Sequence, residues 1–171
     1  MLDALALGRS TQEAVAGAVA GTQYADWRQL ILIGAQGGPV IHTGGRALGI
    51  CGQQLGVDCA AAGNLLANAE VPQAMVVAFA DSAGHPLAER LLLALRAAVV
   101  AGGEAGPVHS MGLQVADTVA WPVVDLRVDW SDDPLADLER LWEVYRPQQQ
   151  AYVTRALNPA ESPAYGVPGD P

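Results

Sequence analysis

Asp26-Trp27-Arg28-Gln29-Leu30-Ile31-Leu32-Ile33, then Gly34-Ala35-Gln36-Gly37-Gly38, then Pro39-Val40-Ile41-His42-Thr43-Gly44, is the stretch whose reading decides the fold. Apolar and β-branched runs flank a Gln-Gly-Gly turn, which is the pattern of a hairpin. The second strand delivers His42, Thr43 and Gly44 to one rim. A Gly-rich segment follows, carries Cys51 and Cys59, and closes on Gly63-Asn64-Leu65-Leu66. Its Gly-Asn pair is expected to reach the same rim.

Outward from this stretch, helices and strands come in runs. On the N-terminal side, Leu2 to Leu7 has the pattern of the last turns of a helix, stopped by Gly8. Ser10-Thr11-Gln12-Glu13 matches the capping box and opens a short Ala/Val helix that ends at Gly21. On the C-terminal side, 47–55 and 57–62 are expected as two short strands. A helix starts at Glu70-Val71-Pro72, where a missing N–H is tolerated, and reaches about Ala80. Pro86 opens another, with Leu87, Leu91, Leu92, Leu95 and Val99 on one face, and Gly102-Gly103 stops it. Strands are expected over 108–117 and 123–130. In the second, Val124, Leu126, Val128 and Trp130 alternate with Asp125, Arg127 and Asp129, so one side is predicted to be wet. Asp132-Asp133-Pro134 begins a helix with Leu135, Leu138, Leu141, Trp142 and Tyr145 as its buried stripe, and Pro147 ends it. A short helix over 148–157 and a Pro-rich arm complete the chain. Runs of strands followed by runs of helices favour a layered α+β fold over a doubly wound one. One domain over 1–157, with an extended arm over 158–171, is the expected organisation.

Composition narrows the chemistry. Of 171 residues 51% are hydrophobic and only 16% charged, so the chain can build a full core, drawn mainly from Ala, Val, Leu and Ile. The net charge of −9 excludes the clustered cations that nucleic-acid phosphates require. All nine cationic side chains are Arg, which removes lysine Schiff-base, lysine general-base and Walker-type phosphate mechanisms. Cys51 and Cys59 fit neither a CxxC pair nor a four-ligand zinc site, and free thiols in a reducing cytosol are expected rather than a disulfide. The first residues have no basic region and too short an apolar run for export, and no window reaches the roughly 18 apolar residues of a membrane span. A soluble, cytoplasmic protein is expected, with no cofactor and no metal.

Six segments carry a family resemblance: Asp26-Trp27-Arg28-Gln29-Leu30, Ile41-His42-Thr43-Gly44, Gly63-Asn64-Leu65-Leu66, Leu87-Ala88-Glu89-Arg90-Leu91-Leu92, Ala101-Gly102-Gly103-Glu104 and Val124-Asp125-Leu126-Arg127-Val128-Asp129. In this order they resemble domain-of-unknown-function family 1028, a family of N-terminal-nucleophile (Ntn) hydrolase type. The resemblance implies an αββα sandwich and hydrolysis of an amide bond in a small molecule. It also implies first strands, bearing a Ser/Thr-containing start, that have no counterpart in these residues, so an N-terminally shortened sandwich is expected. A second departure lies at 104–110, in place of the family's Asp, Arg and Gly before the Ser, and puts any anion contact by that Arg in doubt.

An Ntn hydrolase attacks with the side chain of its first residue, using its own α-amine, of pKa about 8, as base. The Met1 thioether cannot attack a carbonyl, and Leu2 is no better. Self-cleavage before Thr43, Cys51, Cys59 or Ser110 is the remaining route within the chain. Uncovering a sheet edge and its apolar face would also be expensive: at roughly 25 cal/mol per Å2, several hundred Å2 amount to on the order of 10 kcal/mol. The first strands are therefore expected from a partner chain, from an oligomer contact, or from an upstream reading frame.

His42, Thr43 and Asn64 are the candidate catalytic residues, and Gly44, Gly63 and Cys51 the candidate substrate-binding ones. A histidine can position a carbonyl, an Asn amide can donate to an oxyanion, and Gly permits close backbone approach. Each also has a structural reading: a strand-end histidine with one hydrogen bond, a turn Asn, a turn Gly, a buried thiol. His85 and His109 are not spaced as metal ligands. Two functions remain open: an amide hydrolase whose nucleophile comes from elsewhere, or a non-catalytic structural or regulatory subunit. A homo-oligomer, or an assembly with a partner chain, is expected in either case.

Overall fold

The computed structural model describes residues 1–164 and 166, and they divide into two compact units, Met1–Pro107 and Val108–Pro171.

In the first unit the Ser10 hydroxyl accepts from the Glu13 N–H at 3.2 Å while the Glu13 carboxylate accepts from the Ser10 N–H at 2.9 Å, so the expected capping box is formed. It opens α2 (Thr11–Ala20), which follows the short α1 (Leu2–Ala6). The hairpin comprises β1 (Gln29–Leu32) and β2 (Val40–Thr43), antiparallel, with Gln29 opposite Thr43 and Ile31 opposite Ile41. Asp26 and Trp27, expected to start β1, instead form a 3-10 turn over Ala25–Trp27. The reason lies at Gly44: its N–H donates to the Arg28 carbonyl at 2.8 Å, and a Cβ there would collide with the main chain of Ala25 and Asp26. The strand exit thus presses against the turn and leaves 25–27 no room to run extended.

A second hairpin pairs β3 (Ile50–Gly56) with β4 (Cys59–Leu66); β3 starts three residues and ends one residue later than the expected 47–55, and β4 starts two and ends four later than the expected 57–62. Its tight turn places Asp58 at a φ of 55°, a conformation Asp tolerates better than most residues. Cys51 and Cys59 are both free thiols. After it come α3 (Val71–Asp81) and α4 (Leu87–Val100). Ala88, Leu92 and Ala94 are the buried residues of α4, whereas Leu87 and Val99, expected in its stripe, are about half exposed. Arg90 anchors the pair, stacking 3.7 Å above the Phe79 ring and donating to the Phe79 carbonyl at 3.0 Å. Glu104 then bridges to Leu66, which ties the end of the unit to β4.

The packing partners give the order of layers. Leu32 is buried in one cluster with Ala14 and Val15 of α2, so α2 covers one face of β1–β2. The opposite face, carrying Gln29, Ile31, Ile41 and Thr43, turns toward β3–β4. α3 covers the far side of β3–β4, where Cys59 and Ala61 are buried, and α4 packs on α3.

In the second unit β5 (Met111–Val115) pairs antiparallel with β6 (Val124–Val128), and α5 (Pro134–Tyr145) lies on the hairpin. Leu113, Val115, Val124 and Val128 are buried with Leu138 and Trp142, so the predicted stripe of α5 and the alternation of β6 hold as far as Val128. Trp130 departs from the expectation: the strand has ended, the indole is 75% exposed, and it stacks on His109 at 4.2 Å between centroids. α6 (Gln149–Leu157) follows a 3-10 turn. Within the expected arm, Pro159–Glu161 make a 3-10 turn and the Pro163 carbonyl accepts from Arg155, while Tyr165 and 167–171 lie outside the described residues.

Candidate functional site

Period-2 geometry sends adjacent strand side chains to opposite faces, so His42 and Thr43 cannot do the same job. Thr43, with Gln29 across the ladder, faces the second hairpin. Its hydroxyl donates to Gln53 Oε1 at 2.8 Å and accepts from Gln29 Nε2 at 3.0 Å. The same Gln29 amide reaches the Gly63 carbonyl at 3.3 Å and the Gly52 carbonyl at 3.5 Å. One neutral side chain of β1 therefore ties β2 to both strands of the other hairpin. His42 leaves the other way, and its Nε2 lies 3.3 Å from the Ala25 carbonyl.

Beside this network is an open hollow of about 490 Å3, lined by Ile41, His42, Thr43, Cys51, Gly52 and Gln53. Three of the six candidate residues, His42, Thr43 and Cys51, contribute to its lining, although the His42 Nε2 is turned to the Ala25 carbonyl. The other three do not line it. Asn64 donates to the Leu48 carbonyl at 3.4 Å, a loop contact rather than an aim into the hollow. Gly44 serves the close approach to the 25–27 turn, and Gly63 contributes its carbonyl to Gln29. Gln29 and Gln53 were not singled out in the sequence. Their signal is purely tertiary, because neither sits in a motif and each matters only once the two hairpins face one another.

Among the described residues the lining has no carboxylate and no guanidinium. Among the described residues the Thr43 hydroxyl is hydrogen-bonded to carboxamides, Gln29 and Gln53, rather than to a base. The Cys51 thiol points at the Leu48 and Gly49 carbonyls, at 3.9 and 3.8 Å. Such a wall can hold and orient a neutral polar ligand. Among the described residues no cluster of three or more His, Cys, Asp or Glu could hold a metal ion, and no helix is long and apolar enough to cross a membrane.

A second hollow, of about 310 Å3, lies in the other unit between Trp121, Pro122, Val123, Tyr145, Tyr152 and Val153. Tyr145 stacks with Tyr152 at 5.8 Å and donates to the Val123 carbonyl at 2.9 Å. Burial pushes the Tyr145 phenol above its ordinary value.

Helices and antiparallel hairpins beside an open polar hollow define an α+β protein. The chain belongs to the family of unknown function DUF1028, whose profile it matches over residues 1–138. Among solved structures it is similar to protein SPO2555 from Silicibacter pomeroyi, also of the DUF1028 family, at 30% identity and a TM-score of 0.72. That match covers 81% of this chain and 59% of the Silicibacter chain, so this chain spans less than two thirds of its relative's length. No curated protein matches it.

Proposed function

We propose that the chain is the substrate-holding part of an Ntn-type hydrolase that cleaves an amide C–N bond of a small molecule. What carries this reading is the Gln29–Thr43–Gln53 network beside the hollow: a neutral, hydrogen-bonding wall suited to an amide, set between hairpins layered as α2, β1–β2, β3–β4 and α3. That order is the one an αββα sandwich requires. In this reading the attacking group is contributed by residues outside 1–171, in a further segment or a partner chain, because among the described residues the Thr43 hydroxyl is paired with carboxamides rather than with a base. The hydroxyl or thiol of that residue forms the acyl–oxygen or acyl–sulfur bond, its own α-amine takes the proton, and the proton passes to the departing amine. Water then releases the acid.

The assembly acts in the cytoplasm on a small-molecule substrate, not on nucleic acid or membrane, and is a homo-oligomer or a complex with the chain that completes the sheets. Each hairpin is two-stranded, and Ile31, Leu55 and Val57 are 39, 50 and 89% exposed, an apolar surface suited to covering strands. Sedimentation of the purified protein is expected to give a dimer or larger species, and a monomer that unfolds cooperatively contradicts this.

The test of the activity is intact mass spectrometry of the assembly as isolated, after incubation with a broad panel of small amides. Turnover to acid and amine, with an acyl adduct on a residue outside 1–171, is expected. Absence of turnover across the panel overturns the hydrolase reading. It favours the second one, a non-catalytic structural or regulatory subunit, for which the pairing of the Thr43 hydroxyl with carboxamides rather than with a base is the specific support.

A further inference from the structure

The network at the hollow has a direction, fixed by main-chain atoms. Carbonyl oxygens only accept hydrogen bonds, and the Gln29 carboxamide end lies 3.3 Å from the Gly63 oxygen and 3.5 Å from that of Gly52. The NH2 group of Gln29, not its oxygen, must therefore occupy that place. The same NH2 is 3.0 Å from Thr43 Oγ1, so Thr43 accepts there and has its own proton to give away. In the structure it goes to the Gln53 amide oxygen at 2.8 Å. The carbonyls thus leave the Thr43 proton free to hold Gln53 in this orientation, two hydrogen bonds away. Its Nε2, with two N–H groups, is left on the other side, on a residue that lines the hollow, and among the described residues it meets no acceptor.

We infer that Gln53 is a ligand-binding residue that presents two neutral N–H donors to the hollow, with Gln29 and Thr43 as positioning residues that lock this polarity. The ligand class follows: a neutral group whose recognised atom is a carbonyl oxygen, an amide above all, rather than an ammonium or a hydroxyl acting as donor. This inference rests on the hollow being the substrate site, and it specifies the substrate end that docks at Gln53. It needs neither a nucleophile nor turnover, so it stands or fails separately from the hydrolase reading.

The experiment is a titration of the 15N-labelled full chain, followed at the Gln53 side-chain NH2 resonances. N,N-dimethylacetamide, which has an amide oxygen and no N–H, is the acceptor probe, and methylammonium is the donor probe. In the parent protein the acceptor probe is expected to shift the Gln53 NH2 signals saturably and the donor probe to leave them in place. Gln53 is exposed, so Gln53→Glu retains an oxygen for Thr43 while replacing the donors, and is expected to abolish binding of N,N-dimethylacetamide. Thr43→Ser keeps the relay and is expected to keep the preference between probes. Thr43→Val breaks it, frees the Gln53 amide to turn over, and is expected to remove that preference while the protein stays folded. A merely structural Thr43 would change stability but not the preference. Equal response to both probes in the parent, retained N,N-dimethylacetamide binding in Gln53→Glu, or an unchanged preference in Thr43→Val each overturns the inference.

Discussion

The two hairpin-bearing units of this molecule treat the space beneath a strand pair in opposite ways. In Val108–Pro171 the inner face of β5–β6 is apolar, and Leu113, Val115, Val124 and Val128 are sealed under Leu138 and Trp142 of α5. In Met1–Pro107 the face of β1–β2 turned to β3–β4 holds Gln29 and Thr43, hydrogen-bonded to Gln53 and to two main-chain carbonyls, beside apolar residues that stay in part exposed. An apolar layer stabilises in proportion to the area it removes from water, whereas a polar one returns little net energy and punishes any unpaired member. A layer of the second kind is retained for what it can bind. The contrast supports the proposal of a site in the first unit without reference to any motif.

The largest expected effect lies in the apolar layer. Leu138 is fully buried, and Leu138→Ala should destabilise the second unit by about 2–5 kcal/mol through lost transfer energy and the cavity left behind. Urea titration followed at the Leu113 and Val128 amides measures it. A loss under 1 kcal/mol would mean that this layer is not packed as described.

Gln29→Leu strikes the polar layer. It leaves the Gly63 and Gly52 carbonyls and the Thr43 hydroxyl without their donor, for a loss of roughly 1–3 kcal/mol in the first unit. Local hydrogen exchange at β1–β4 is the readout, and protection equal to that of the parent would show that the network is ornamental.

Tyr145→Phe is smaller. It removes the bond to the Val123 carbonyl, worth about 1 kcal/mol, without opening a cavity. The burial that raises the Tyr145 phenol also sets a pH sign: the unfolded chain ionises first, so the contribution is full below the ordinary value of 10.0 and is lost as pH rises beyond it. Alkaline unfolding should therefore be shallower in Tyr145→Phe than in the parent.

Smallest is the cap of α2. Ser10→Ala should lower stability by about 1 kcal/mol at neutral pH. The hydrogen bond from the Ser10 N–H, then that from its hydroxyl, holds the Glu13 carboxyl below its ordinary 4.5. The Glu13 contribution is thus present above that value and disappears as pH falls through the lower folded-state value. Glu13→Gln should differ from the parent at pH 7 and converge with it in acid.

How much of this was readable in the sequence depends on how local each signal is. The capping box and the second strand of the first hairpin are local signals and appear as expected, and the α5 stripe is buried at Leu138 and Trp142 while Leu135, Leu141 and Tyr145 are half-buried. Trp130 continued an alternating pattern on paper, but alternation has meaning only while the ladder lasts, and the ladder stops at Val128. Likewise Asp26 and Trp27 read as strand until the close approach of Gly44 fills their space. In the candidate site, His42 and Thr43 were legible as a polar strand end, yet being neighbours they had to part to opposite faces. Gln29 and Gln53 were invisible because their partners are 14 to 34 residues away along the chain for Gln29 and 10 for Gln53, and two of them are main-chain oxygens that carry no sequence signature.

The most direct measurement compares the two hollows in one experiment: backbone 15N chemical-shift mapping of the full chain against a panel of simple neutral amides. Saturable shifts gathered at Ile41, His42, Thr43, Cys51, Gly52 and Gln53 are expected. Shifts gathered instead at Trp121, Tyr145 and Tyr152, or no saturable shift with any amide, would contradict the assignment of the polar layer as the place where this protein holds its substrate.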